Sequence, residues 1–272
     1  PDPTQPLLLS PRLTLSLAPL AEAKIIENYL TLGDSDAAEN AAQPTLHNVV
    51  IQASLAQGAH LTQIKLQRES KQNFHIASVH ATLARASRWT HQNFILGGRI
   101  SRDDVAAVLH DEGAEAHLDG LYLVGRGQHV DVHSVIDHAA PNCHSSELYK
   151  GVLNDDGVAV FNGKIFVRPD AQKTAAFQSN RNLLLSPNAS VNTKPQLEIW
   201  ADDVRCSHGC TIGQLETAPL FYMRSRGIPE AQAKALLTYA FAGEVIERAD
   251  FEPLRDLLRR DLGAWMGAEL DA

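Results

Sequence analysis

Ala114-Glu-Ala-His-Leu118 decides how the chain is read, because the same phrase returns elsewhere with small changes. Ala21-Glu-Ala-Lys-Ile25 and Ala84-Arg-Ala-Ser-Arg-Trp89 repeat its small–polar–small–apolar order, and Gly58-Ala-His-Leu61 and Gly127-Gln-His-Val130 echo it. The spacing is irregular and no helical pattern separates the copies. Self-similarity of this kind predicts the stacked coils of a β-solenoid, in which each coil rests on its neighbours. An ordinary β-sandwich is the alternative. A left-handed hexapeptide solenoid fits poorly, since a strict six-residue repeat of Ile, Leu or Val is missing.

Around these phrases, apolar and polar residues alternate in short runs. Leu13-Thr-Leu-Ser-Leu17, His47-Asn-Val-Val-Ile51, Gln63-Ile-Lys-Leu66 and Phe74-His-Ile-Ala-Ser-Val79 read as strands, as do Val130-Asp-Val132, Lys164-Ile-Phe-Val167 and Gln196-Leu-Glu-Ile-Trp200. Gly, Asn, Asp and Pro between them supply the turns. After Glu216 the pattern changes. Leu220-Phe-Tyr-Met-Arg-Ser-Arg226 predicts a short helix ended by Gly227. Beyond Pro229, a helical apolar stripe is read through Ala233, Leu236, Leu237, Ala240, Phe241, Val245 and Ile246. A further helix follows Pro253, carrying Leu254, Leu257, Leu258 and Leu262. The fold class is mainly β, then α.

The chemistry concentrates in Ala201–Thr217, where Cys206, His208 and Cys210 fall within five residues. Residues two apart on a strand share a face, so the three soft ligands can converge unless Gly209 breaks the strand. Thiolate and imidazole suit zinc, copper(I) or iron–sulfur chemistry rather than magnesium or calcium. Such a segment supplies at most three ligands, so a closed tetrahedral site needs another residue. The competing reading is burial of the cysteines as small apolar residues. Cys143-His144 is a second soft pair, expected in the turn after Pro141. The other histidines, including His110, His117, His129, His133 and His138, read as scattered and mostly solvated. Asp103-Asp104, Asp155-Asp156 and Asp202-Asp203 are read as turn and strand-end pairs, because adjacent carboxylates on a strand diverge.

Composition excludes several classes. Net charge is −8 over 272 residues, which disfavours binding to a phosphate backbone. No apolar run is long enough to span a bilayer, and the opening stretch does not read as a secretory signal. Three cysteines are too few for a disulfide scaffold, and reduced thiols in a cytosol-like compartment are expected. Gly157-Val-Ala-Val-Phe-Asn-Gly163-Lys164-Ile165 fails as a phosphate loop in its glycine spacing and in Ile165, so no nucleotide is expected on this chain. The text begins at Pro1 rather than Met, which suggests a processed or trimmed product.

The ordered blocks Leu148-Tyr-Lys-Gly-Val152, Val160-Phe-Asn-Gly-Lys-Ile165, Ala171-Gln-Lys-Thr174, Asn182-Leu-Leu-Leu-Ser-Pro187 and Thr193-Lys-Pro-Gln-Leu-Glu-Ile199 resemble the SufB/SufD family of iron–sulfur cluster assembly scaffolds. Ala201-Asp-Asp-Val-Arg-Cys-Ser-His-Gly209 and Phe221-Tyr-Met-Arg-Ser-Arg-Gly-Ile228 are similar to its SufD branch. The resemblance implies a right-handed parallel β-helix core over residues 11–215, after an N-terminal remnant at 1–10. A small C-terminal α-helical domain would follow over residues 216–272. It further implies a non-catalytic scaffold that pairs with a SufB-like paralogue and docks a SufC-like ATPase through the C-terminal helices. Phe221, Tyr222, Arg224, Arg226, Tyr239 and Phe241 are the expected partner contacts. His208, with Cys206 beside it, would help hold a nascent iron–sulfur cluster transiently, shared with SufB, in the bacterial cytoplasm or a plastid stroma. Cys210 stands where the family has Ala, and the helical N-terminal region that the family carries has no counterpart in this text. A homodimer is expected of the isolated chain. The runner-up is a stand-alone metalloenzyme using Cys206, His208 and Cys210.

Overall fold

The structure, a computed structural model, describes residues 5–31 and 44–267. Residues 1–4 of the expected N-terminal remnant and 268–272 of the expected helical domain lie outside them. Among the described residues, fifteen strands come first: β1 (Leu7–Leu9), β2 (Arg12–Leu17), β3 (Glu22–Leu30), β4 (Thr45–Leu55), β5 (His60–Arg68), β6 (Phe74–Leu83), β7 (Arg88–Ile95) and β8 (Ile100–Leu109). They continue as β9 (Glu115–Val124), β10 (His129–His138), β11 (His144–Leu153), β12 (Val158–Val167), β13 (Ala175–Leu184), β14 (Ser190–Ile199) and β15 (Arg205–Gly213). Three helices follow: α1 (Thr217–Ser225), α2 (Glu230–Ile246) and α3 (Glu252–Met266).

The strands wind as a solenoid. One sheet runs β1-β4-β6-β8-β10-β12-β14, with β2 also on β4, and the other runs β15-β13-β11-β9-β7-β5-β3. From β2 onward chain order therefore alternates between sheets, and pairing between neighbours in each sheet is parallel. That excludes the sandwich, whose hairpin-linked strands pair antiparallel. Ile100 pairs with His129 and His129 with Val158, a repeat of 29 residues each time. The strands are longer than the runs seen in the sequence, mostly eight to eleven residues. Polar residues that point inward, such as Gln63, Lys65, His91 and Asn93, interrupt the apolar alternation and hide the strand ends.

The repeated phrase has a structural cause at the coil corner. Leu20, Gly58, Ala86, Gly113, Asn142 and Lys173 occupy equivalent turns, with φ values of +62, +66, +53, +73, +58 and +60°. From Gly58 to Asn142, each amide donates to a carbonyl of the next coil: Arg85, Glu112, Pro141 and Gln172 in turn. From Gly58 onward, the residue after each turn is small and buried (Ala59, Ser87, Ala114, Cys143, Thr174), because it faces the narrow end between the sheets. Sequence similarity thus marks a backbone requirement.

Two apolar cores form. The first fills the space between the sheets, from Val49 and Ile51 through Trp89, Leu118 and Val132 to Phe161 and Ala176. The second lies outside, where Ile64, Leu66, Phe94, Leu121, Leu123, Leu148 and Val152 meet Ala242, Val245, Ile246, Leu254, Leu258 and Leu262. Both faces of β9 and β11 are consequently buried at their C-terminal halves. Ion pairs pin the helices down: Arg248 to Asp119 at 2.6 Å, Arg68 to Asp261 at 2.8 Å and Lys150 to Glu244 at 2.5 Å. The buried face of α2 differs from the expected stripe. Ala235, Thr238, Ala242 and Gly243 are buried, whereas Ala240 is exposed and Leu236 and Leu237 are half-buried. Small residues on that face let the helix approach closely, and a reading weighted by side-chain size passes over them. Among the described residues, no helix is long and apolar enough to cross a membrane.

The solenoid interior is polar toward its first coils. Lys65 and Asp103 form a fully buried ion pair, and Asn93 donates to the other Asp103 oxygen at 3.0 Å. Burial opposes ionisation of Asp103, yet Lys65 and His75 hold its carboxyl below the usual range. Asp103 is therefore a mid-strand interior residue rather than a turn residue, while its neighbour Asp104 pairs outside with Arg102 at 2.7 Å. His138 is buried as well, with its Nε2 2.8 Å from the Ser145 hydroxyl. Strand alternation, not histidine's average exposure, decides such positions.

Candidate functional site

Cys206, His208 and Cys210 lie on β15 in register with Ala176, Gln178 and Asn180 of β13. Those three β13 residues are buried inside the solenoid, so the soft ligands share the interior-facing side. Gly209 does not break the strand, since it remains paired opposite Ser179. Cys206 is half-buried against the main core, and His208 and Cys210 are exposed. The reason is topological: β15 is the last rung of its sheet among the described residues, so its inner face is not roofed over. Burial raises the Cys206 thiol above its ordinary pKa, with a hydrogen bond from the Ala176 backbone pulling the other way. Its thiolate is therefore favoured only once a metal or a cation arrives.

Behind His208 the same interior column continues through Gln178 to Glu147, one rung per residue. Gln178 Nε2 donates to Glu147 Oε2 at 2.6 Å. Glu147 is nearly inaccessible, its Oε1 has no hydrogen-bond partner, and burial pushes its carboxyl up to about 7. A carboxyl of that kind exchanges a proton near neutrality. Nothing in the sequence marked Glu147 or Gln178, because only strand register puts them in line with His208. On the opposite side of β15, a cavity of about 380 Å³ is bordered by Phe177, Arg181, Glu244 and Arg248.

The other candidates separate. Cys143 is a corner residue whose thiol donates to the Asp111 carbonyl at 3.3 Å, and burial raises its pKa. His144 lies on the outer face near Phe177, ring centroids 6.1 Å apart. His129 and His133 share the outer face of β10, where His133 pairs with Asp131 at 3.0 Å. Asp155 stands at a corner with φ +52°, and the Asp203 backbone carbonyl accepts from the Lys173 amide at 2.6 Å, as turn residues do.

The expected partner contacts divide in two. Helix α1 buries no residue, leaving Phe221 74% and Tyr222 60% exposed. Arg226 sits over the Tyr222 ring at 5.2 Å and Arg224 pairs with Glu230 at 3.3 Å, while Gly227 ends the helix at φ +88°. Tyr239 and Phe241, by contrast, are engaged within the chain. The Tyr239 hydroxyl accepts from Arg259 at 3.0 Å, and Phe241 packs at the second core beneath the Lys150 ammonium.

A family model described as the SufBD core domain of the SUF system for FeS cluster assembly matches residues 3–241. An iron–sulfur cluster assembly SufBD family protein of Synechocystis is 37% identical over 259 residues, covering 95% of this chain and 57% of its own length. The iron–sulfur cluster assembly protein SufD of Escherichia coli is 36% identical over 249 residues, covering 92% and 57%. The chloroplastic protein ABCI7 of Arabidopsis thaliana is 35% identical over 215 residues, covering 78% and 45%. The chain thus spans about half the length of these relatives.

Proposed function

Because the chain belongs to the SufBD family of iron–sulfur cluster assembly proteins and is a SufD homologue, we propose that it acts as a non-catalytic scaffold subunit that holds a nascent cluster at the open end of its solenoid. One observation carries this reading: three soft ligands alternate on the unroofed inner face of the terminal strand β15. A SufB-like paralogue would stack on that end, where edge strands leave backbone groups to pair and Trp200 and Ile212 stay exposed. His208 would ligate iron opposite a partner thiolate, as imidazole does on some cluster irons. Cys206 would supply a second ligand from its half-buried position.

A SufC-like ATPase would dock on α1, whose aromatic and arginine side chains are free of the core. Nucleotide hydrolysis would then belong to that partner. Closing two ATPase subunits would pull on α1 and shift the stacked solenoid ends, admitting iron and sulfide to His208. Glu147, two rungs behind and held by Gln178, would tune the charge behind His208 by its own protonation as the ligands exchange. The setting is a reducing compartment, bacterial cytoplasm or plastid stroma, in keeping with bacterial and chloroplastic relatives.

The test is anaerobic reconstitution of the chain with SufB-type and SufC-type partners, followed by cluster assembly from Fe(II), sulfide and ATP. His208→Ala is expected to leave the complex intact and cut the assembly rate at least about tenfold, as loss of a metal-site group commonly does. Full-rate assembly by that variant overturns the cluster role. Turnover by the chain alone, lost with Cys206→Ser and His208→Ala, moves the stand-alone metalloenzyme ahead. A chain that self-associates through β15 and ignores the SufB-type partner overturns the heterodimer.

A further inference from the structure

Far along the solenoid from β15, a second set of ligating side chains converges in the first coils. His47 on β4 and His75 on β6 are register neighbours on the inward side, with ring centroids 6.0 Å apart. Glu69 enters from the corner between β5 and β6 and contacts both Nδ1 atoms, at 2.8 Å for His75 and closer for His47. One ligand atom from each residue lies within 4.8 Å of the other two. The side chains of Glu69 and His75 are fully buried, and that of His47 is 13% exposed.

The Glu69 carboxylate alone does not complete this cluster. It bridges the two Nδ1 atoms, while the buried His75 Nε2 has no partner. Buried polar atoms without partners are rare, and an ion is one of the few things that satisfies several at once. The surroundings hold the ligands still. Gln67 Nε2 donates to Glu69 Oε2 at 2.8 Å, and the Gln67 side-chain Oε1 accepts from the Gly97 amide at 3.0 Å. The Tyr29 ring packs edge-on against His75 at 4.9 Å. The nearby Lys65 ammonium is already paired with Asp103. We propose that His47, Glu69 and His75 form a binding site for a divalent first-row transition ion, Zn(II) or Fe(II) being best matched to two imidazoles and one carboxylate. Three protein ligands leave a coordination position open, and the partly exposed edge of His47 is the way in. The site shares no residue with β15 and stands or falls independently of the cluster reading.

The experiment uses the full chain carrying Cys206→Ser, His208→Ala and Cys210→Ser, so that the soft ligands of β15 cannot compete. After chelator treatment it is titrated calorimetrically with Zn(II) and, for spectroscopy, with Co(II). The expected result is one equivalent bound, with Co(II) ligand-field bands and no thiolate charge-transfer band. Adding His47→Ala, the least buried of the three positions, is expected to weaken binding by about 100-fold while circular dichroism stays unchanged. Glu69→Gln should weaken it similarly. No binding by the folded chain, or binding that His47→Ala leaves unaltered, overturns the proposal.

Discussion

Glu147 is the residue whose protonation the fold controls most usefully. Its carboxyl ordinarily titrates near 4.5 and is pushed up to about 7 by burial. Between those values the unfolded chain has released the proton and the folded chain has kept it, so stability falls as pH rises through this window. Glu147→Gln removes the penalty. Its thermal midpoint should match the parent near pH 4.5 and exceed it increasingly up to pH 7.5, toward a gain on the order of 2–3 kcal/mol. Thermal scans across that range check the sign, and a constant difference would count against the titration. In the cluster assay the same variant should slow ligand exchange without abolishing complex formation. Lys65 presents the opposite situation. Lys65→Met strands the Asp103 carboxylate in a dry interior, and urea unfolding should show a loss of roughly 3–5 kcal/mol.

Pairs of strands carry the next constraint. Tyr149 of β11 lies over Gly120 of β9, and Tyr122 of β9 lies over Gly151 of β11. A Cβ at either glycine would come within 2.0 Å of the facing ring. Tyr122 also donates to Asn182 Oδ1 at 2.5 Å, so the ring cannot swing away without losing that bond. Gly151→Ala should therefore cost about 1–3 kcal/mol by overpacking, read as a lower urea midpoint at unchanged slope. Helix α1 gives the contrasting case. Phe221→Ala with Tyr222→Ala touches no buried group, so the chain's own stability should move by no more than about 0.5 kcal/mol. Affinity for a SufC-type ATPase, measured calorimetrically, should fall at least about tenfold if α1 is the dock.

At the scale of the whole molecule, the helices are part of the solenoid's stability. Ending the chain at Glu216 would bare Ile64, Leu66, Phe94, Leu121, Leu123, Leu148 and Val152 together. A patch of that kind drives association, so the truncated chain should aggregate in light scattering and bind a hydrophobic dye. Loss of ATPase binding on truncation would then say little about docking, whereas the two α1 substitutions leave the second core intact. By itself the sequence pointed to stacked coils, to helices after Glu216 and, given an unbroken strand, to one face for Cys206, His208 and Cys210. Each rests on local chemistry: left-handed corner residues, helix punctuation and the two-residue period of a strand. The tertiary structure decided the rest. Only register aligns Glu147 and Gln178 with His208, brings His47 beside His75, and buries Lys65 against Asp103. Those residues are many positions apart in the chain and share no local period. Likewise α2 buries its small-residue face because the sheet it packs on approaches closely there, a choice that helical periodicity alone leaves open.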